Sequence, residues 1–135
     1  MATYVKFQPF VENLAEKVFN LGSDTLTIAL TDTLPTNTFS TLSQITEISY
    51  ANLSARAITT TSSAQTSGTY KLVLADLVLT ASGTVAQFRY IILYDDTAAS
   101  DQLIAYWDYG SEINMLNTDT LTLDFDASAG VLTIA

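Results

Sequence analysis

Residues 68–110 read GTYKLVLADLVLTASGTVAQFRYIILYDDTAASDQLIAYWDYG, and this stretch decides the fold class. Tyr70, Leu72 and Leu74 alternate with Lys71 and Val73, the two-residue period of a strand with one buried face. The apolar parity then shifts to Leu77 and Leu79, so the spacing predicts a bulge or tight bend at Ala75-Asp76. Ala81-Ser82-Gly83 closes that strand. Residues 85–94 are apolar on both parities, which predicts a strand buried on both faces or on one face and an interface. Residues 95–101 form a polar turn, and residues 103–107 the next strand.

Upstream of this block, Val11, Leu14, Ala15 and Val18 recur at three- and four-residue spacing, with Phe10 and Leu21 extending the stripe. That pattern, with Pro9 before it and Gly22 after it, predicts a helix over residues 9–21. Glu12 and Glu16 are a like-charge pair four apart and give this helix no local help. In residues 24–33, Leu26, Ile28 and Leu30 alternate with threonines and Ala29, as in a half-buried strand. Residues 42–48 fit either a helical turn or a strand, residues 56–61 fit a strand, and residues 62–67 read as an exposed loop tip. Downstream, residues 109–119 read as a long connection. Leu121, Leu123 and Phe125 alternate in a strand, Ala127-Ser128-Ala129-Gly130 turns the chain, and residues 131–135 pair back as a hairpin. Short strands with antiparallel-style turns and one N-terminal helix predict a mainly β chain, an antiparallel β-sandwich or jelly-roll-like domain over residues 1–135.

Composition narrows the function. Of the 135 residues, 14% are charged, against roughly 25% in an ordinary soluble domain. So few solvating groups point to surface covered by partners, the alternative being a β surface kept wettable by its Ser and Thr hydroxyls. The net charge is −9, with only five cations, Lys6, Lys17, Arg56, Lys71 and Arg89. A basic patch for nucleic acid or an anionic membrane is therefore not expected, nor is a membrane span. The first residues lack the apolar core of a signal peptide, which predicts a chain made in the cytoplasm and moved only as part of an assembly. There is no His and no Cys. Thiolate chemistry, Cys-based zinc and disulfides are thereby excluded, and the abundant Ser and Thr hydroxyls lack their usual base. No cofactor and no metal are expected. Asp95, Asp96 and Asp101 bracket one turn, and Asp124 and Asp126 share a strand face, but their spacing matches no calcium loop. The aromatic group Phe88, Tyr90, Tyr94, Tyr106, Trp107 and Tyr109 suits core and sheet-face packing first, and a sugar platform or a protein hot spot second. Asn52-Leu53-Ser54 has the form of a glycosylation sequon, most simply a chance match.

Several runs carry a resemblance. They are Lys6-Phe7 with Phe10-Val11, Asn20-Leu21-Gly22-Ser23-Asp24-Thr25-Leu26, and Ile45-Thr46-Glu47-Ile48. Next are Gly68-Thr69-Tyr70-Lys71-Leu72-Val73-Leu74-Ala75-Asp76, Phe88-Arg89-Tyr90 and Leu93-Tyr94-Asp95-Asp96-Thr97-Ala98-Ala99-Ser100-Asp101. Trp107-Asp108-Tyr109-Gly110, Asp124-Phe125-Asp126 and Gly130-Val131-Leu132 complete them. Across nearly its whole length the chain resembles a family of small virion proteins of tailed bacteriophages, made alongside the major capsid protein. The resemblance implies a head decoration, or cement, protein on the outer capsid surface, partnered by the major capsid protein. It supplies no catalytic residues. A homo-oligomer is expected, a trimer before a dimer. Residues 2–10, with Tyr4, Phe7 and Phe10, are the expected anchoring arm, the alternative being a first strand of the sheet. The competing readings are another virion component (tail tube, head–tail connector or fibre module) and a carbohydrate-binding β-sandwich module.

Overall fold

The structure, a computed structural model, describes residues 2–135. It is mainly β, with antiparallel sheets and one short helix near the N-terminus. Among the described residues ten strands run in chain order: β1 (Thr3–Lys6), β2 (Leu26–Thr31), β3 (Ala57–Ile58), β4 (Thr60–Thr66), β5 (Thr69–Leu74), β6 (Leu77–Thr80), β7 (Val85–Asp95), β8 (Leu103–Met115), β9 (Thr120–Leu123) and β10 (Leu132–Ile134). A five-stranded sheet has the order β1-β8-β7-β2-β3. Two smaller sheets, β10-β5-β4 and β6-β9, lie across from it. The layers share one core: Leu26, Ile28, Leu30, Phe88 and Leu93 from the large sheet meet Leu72, Leu74, Leu79 and Leu123 from the small ones. The arrangement is sandwich-like.

The large sheet is also covered on its outer face. Phe7, Ala29, Ile92, Tyr94, Leu103 and Tyr106 form a second core, roofed by Phe39, Leu42 and Ile45. This corrects the expectation for β2: all six of its residues are buried, not every second one. Its threonines tolerate burial because their hydroxyls are bonded, Thr27 to the Asp96 carboxylate at 3.3 Å and Thr31 to the Thr46 carbonyl. The two-faced burial expected over residues 85–94 holds only from Tyr90 onward; in the first half of β7 Ala86 and Gln87 are exposed.

The outer edge of β2, where β3 stops short, is closed by side chains. The Tyr50 hydroxyl accepts from the Leu30 N–H at 2.9 Å, and the Arg56 guanidinium donates to the Ile28 carbonyl. Arg56 also stacks 3.6 Å over the Tyr50 ring. An otherwise open edge is thus blocked to further strand pairing.

Four local expectations are corrected. The helix α1 spans only Phe10–Ala15. Residues 62–66 belong to β4, whose polar outer face mimics a loop in sequence; the turn is the two-residue Ser67-Gly68, with φ of 51° and 84°. β8 runs on to Met115, through what reads as a connection. β9 and β10 do not pair: β9 joins β6 and β10 joins β5. The turn between them carries the chain from one small sheet to the other. Asp126 accepts the N–H groups of Ser128 and Ala129 and so holds it. The parity shift at Ala75-Asp76 is a crossing of the same kind, where the chain leaves β5 and enters the other small sheet as β6.

Candidate functional site

The sandwich is open along one side. The edge strand β1 of the large sheet and the edge strand β10 of a small one face each other across a groove, with α1 along it. Its volume is about 640 Å³. The lining is apolar: Tyr4 from β1, Phe10, Val11 and Leu14 from α1, and Val131, Leu132 and Ile134 from the C-terminal segment. Tyr4, Val11 and Ile134 are 41%, 52% and 43% exposed, and they are three of the seven large hydrophobic residues left on the surface among the described residues. A second groove continues past Leu14 and Ile134 to Phe19, Leu21 and Tyr70. The seam is therefore a strip of exposed apolar surface between two strand edges, the kind of surface that contacts a partner. Lys6 and Lys17 border it, and neither makes an ion pair among the described residues.

The seam changes the reading of the N-terminal segment. Residues 3–6 pair with β8, Thr3 opposite Asp108 and Lys6 opposite Ala105, so they form a strand and not a free arm. Phe7 is fully buried and rests 5.3 Å from the Tyr106 ring. Phe10 is buried against Phe19, with ring centres 5.4 Å apart. Of the three residues expected to anchor a partner, only Tyr4 reaches the surface. It packs edge-on to Trp107 at 5.5 Å, and partial burial raises its hydroxyl pKa. The correction has a physical reason: an aromatic near a chain end fills a core when its segment is hydrogen-bonded into a sheet.

The other aromatic residues are mostly packing. Phe88, Tyr90, Tyr94 and Tyr106 are buried and Trp107 is half-buried, which leaves Tyr109 as the exposed member of the group. They face two different cores, so they build no common platform. In the sequon, the Asn52 amide donates to the Thr84 carbonyl at 2.9 Å and the Ser54 hydroxyl accepts from the Thr80 N–H. Both side chains thus have structural work.

The acidic groups divide by environment. Asp126 lies below the usual carboxylate range because the Ala129 and Ser128 amides hold its charge. Asp108 is lowered by the two-pronged hydrogen bond from Arg89, at 2.7 and 3.0 Å, and that bond in turn raises Arg89. Asp95 goes the other way: burial, then the neighbouring Asp24 carboxyl, push it up to about 7. Among the described residues, no group of three or more acidic side chains is placed to hold a metal ion, and no helix is long and apolar enough to cross a membrane.

Two features escaped the sequence reading. The groove draws on residues 4–15 and 129–134, ends of the chain that show no mutual signal in a linear pattern. The Asp24–Asp95 pair joins residues 71 positions apart. A faint signal did exist for the groove: Val11 beside Phe10 widens the helix stripe beyond what one core can cover. Comparison with protein-family models, curated proteins and solved structures finds no match for this chain.

Proposed function

We propose that this chain is a non-catalytic structural protein of a tailed-bacteriophage virion, which binds the outer surface of the capsid and holds neighbouring major capsid subunits together. The observation that carries the proposal is the apolar seam between β1, α1 and β10, on a chain in which only 14% of residues are charged. The sequence runs that resemble virion decoration proteins supply the class of partner. A rigid two-layer β body with one sticky edge suits a clamp. On a shell each weak contact recurs at every symmetry-related position, so modest affinity suffices when several copies act together. A small homo-oligomer, trimer before dimer, matches such positions. The sugar-binding reading draws no support from the aromatic placement described above.

The test compares purified particles with and without the protein on heating, and repeats it with Val11→Asp. Decorated particles should survive higher temperature. Val11→Asp should fold, because Val11 is half-exposed, yet release from the shell. Equal heat resistance with and without the protein, or density for it in the tail and none on the head, would defeat the proposal.

A further inference from the structure

Asp95 is the last residue of β7, opposite Leu26 of β2. It is 0% exposed. Its Oδ1 accepts the N–H groups of Thr97 and Ala98 at 2.9 and 3.1 Å and so shapes the β7–β8 loop. Its Oδ2 is buried and has no donor. What faces it within hydrogen-bonding reach is another acid, Asp24, from the segment leading into β2. Asp24 is itself anchored, its Oδ2 accepting the Asn20 N–H at 2.6 Å.

Among the described residues, no cation offsets this pair. Arg56, which leads into β3, is occupied by the Tyr50 ring, Glu47 and the Ile28 carbonyl. Asp96 and Asp101 add further negative charge in the same loop, and Asp96 takes the Thr27 hydroxyl. A buried carboxylate oxygen without a donor is costly, and two carboxylates in contact do not both ionise. A single proton resolves both difficulties. It removes one charge and supplies the missing donor.

We propose that Asp24 and Asp95 form a proton-operated clasp, in which one shared proton ties the segment before β2 to the β7–β8 loop and its loss loosens that end of the molecule. Burial of Asp95 sets the switch near neutral pH. Asp95 is out of reach of any substrate, so the pair is a clasp and not a catalytic dyad. Two further bonds, Thr25 N–H to the Thr97 hydroxyl at 2.8 Å and Asp96 N–H to the Thr25 carbonyl at 2.9 Å, cross the same junction. Loss of the proton therefore loosens the junction without unfolding the chain. The released segment includes Asn20, Leu21 and Gly22, which form one wall of the second groove. Alkaline pH would thus soften the seam, whatever the seam binds.

The direction of the pH effect follows from linkage. Folded Asp95 keeps its proton up to about 7, whereas in the unfolded chain it releases it near 3.8. The stabilisation is complete below the unfolded value and is lost as pH rises through the folded one.

The test uses the full chain. Carboxyl-carbon NMR titration should show one group of the pair titrating near neutrality. The melting temperature should fall by several degrees between about pH 5 and pH 8, more steeply than in Asp95→Asn or Asp24→Asn, in which an amide N–H permanently replaces the proton. The Thr25 and Asp96 amides, which cross the junction, should lose protection over the same range in the native chain alone. Two results would overturn the clasp: both carboxyls titrating below pH 5, or melting curves that run parallel in native chain and variants. Stabilisation by calcium at pH 8, present in the native chain and absent in Asp95→Asn, would also overturn it by putting a cation where the proton is assigned. If Asp95→Asn fails to fold, Asp24→Asn and the native titration decide.

Discussion

Gly68 and Gly130 both hold positive φ, 84° and 79°, yet alanine at the two positions should behave differently. At Gly68 a Cβ meets nothing within 4 Å, so Gly68→Ala suffers only the left-handed strain, about 1–2 kcal/mol. At Gly130 it would lie 2.8 Å from the Leu72 carbonyl oxygen and 2.6 Å from the Lys71 side chain. Backbone does not yield as a side-chain tip does, so Gly130→Ala adds a displacement of β10 from β5 to the same strain. Urea melts should rank Gly130→Ala well below Gly68→Ala; equal midpoints would show that the turn after β9 relaxes freely. The N-terminal aromatics give a second contrast. Phe7→Ala empties a fully buried site and should cost about 3–5 kcal/mol. Tyr4→Ala, at a half-exposed edge, should leave the melting temperature nearly unchanged and weaken only partner binding. A stability loss at Tyr4 as large as that at Phe7 would place Tyr4 in the core after all.

At the scale of elements, the helix shows why a sequence pattern can be right in kind and wrong in extent. Its apolar stripe continues to Leu21, but the chain leaves the helix at Lys17, which takes φ of 66°. The Val18 N–H reaches back to the Asn13 carbonyl at 2.8 Å and the Lys17 N–H to Leu14, the paired bonds of a Schellman stop. Glycine favours that position, and the search for a stop therefore falls on Gly22, five residues late. Lys17→Gly should remove left-handed strain and raise stability by up to about 1 kcal/mol; a lower melting temperature would mean that the lysine stem contributes packing that outweighs the strain. The strands were legible wherever a single face was buried, as in β6 and β9. They were misread where polarity stood in for exposure. Ser62 to Thr66 look like a loop because an edge strand with a solvent face carries the same residues. Residues 109–115 look like a connection because β8 projects beyond its buried half, with Gly110 at φ of 93°. Pairing partners were the least legible feature. A turn after β9 suggests a hairpin, and nothing local records that the two strands lie in different sheets.

The molecule as a whole is held by pairings between distant segments. β1 meets β8 with Thr3 opposite Asp108, β2 meets β7 with Leu26 opposite Asp95, and β10 closes on β5. Such closures are entropically costly before they become favourable, which puts folding in the millisecond-to-second range. They also predict an uneven distribution of stability. β2 is buried over its full length and lies between β7 and β3, while the second half of β7 is buried on both faces between β2 and β8. These amides open only when the whole sheet opens. α1 is six residues long, shorter than a helix that is stable by itself, and it borders the groove with Val11 and Ala15 exposed. β10 is a three-residue edge strand whose Thr133 and Ile134 are exposed. Hydrogen exchange should therefore be slowest in residues 26–31 and 90–95, and fastest among the regular elements in α1 and β10. The mobile elements are then the ones that line the apolar seam, and a bound partner should slow their exchange most. Slow exchange in α1 of the free protein, equal to that of β2, would contradict this: the seam would be rigid before binding, and partner contact would leave its exchange unchanged.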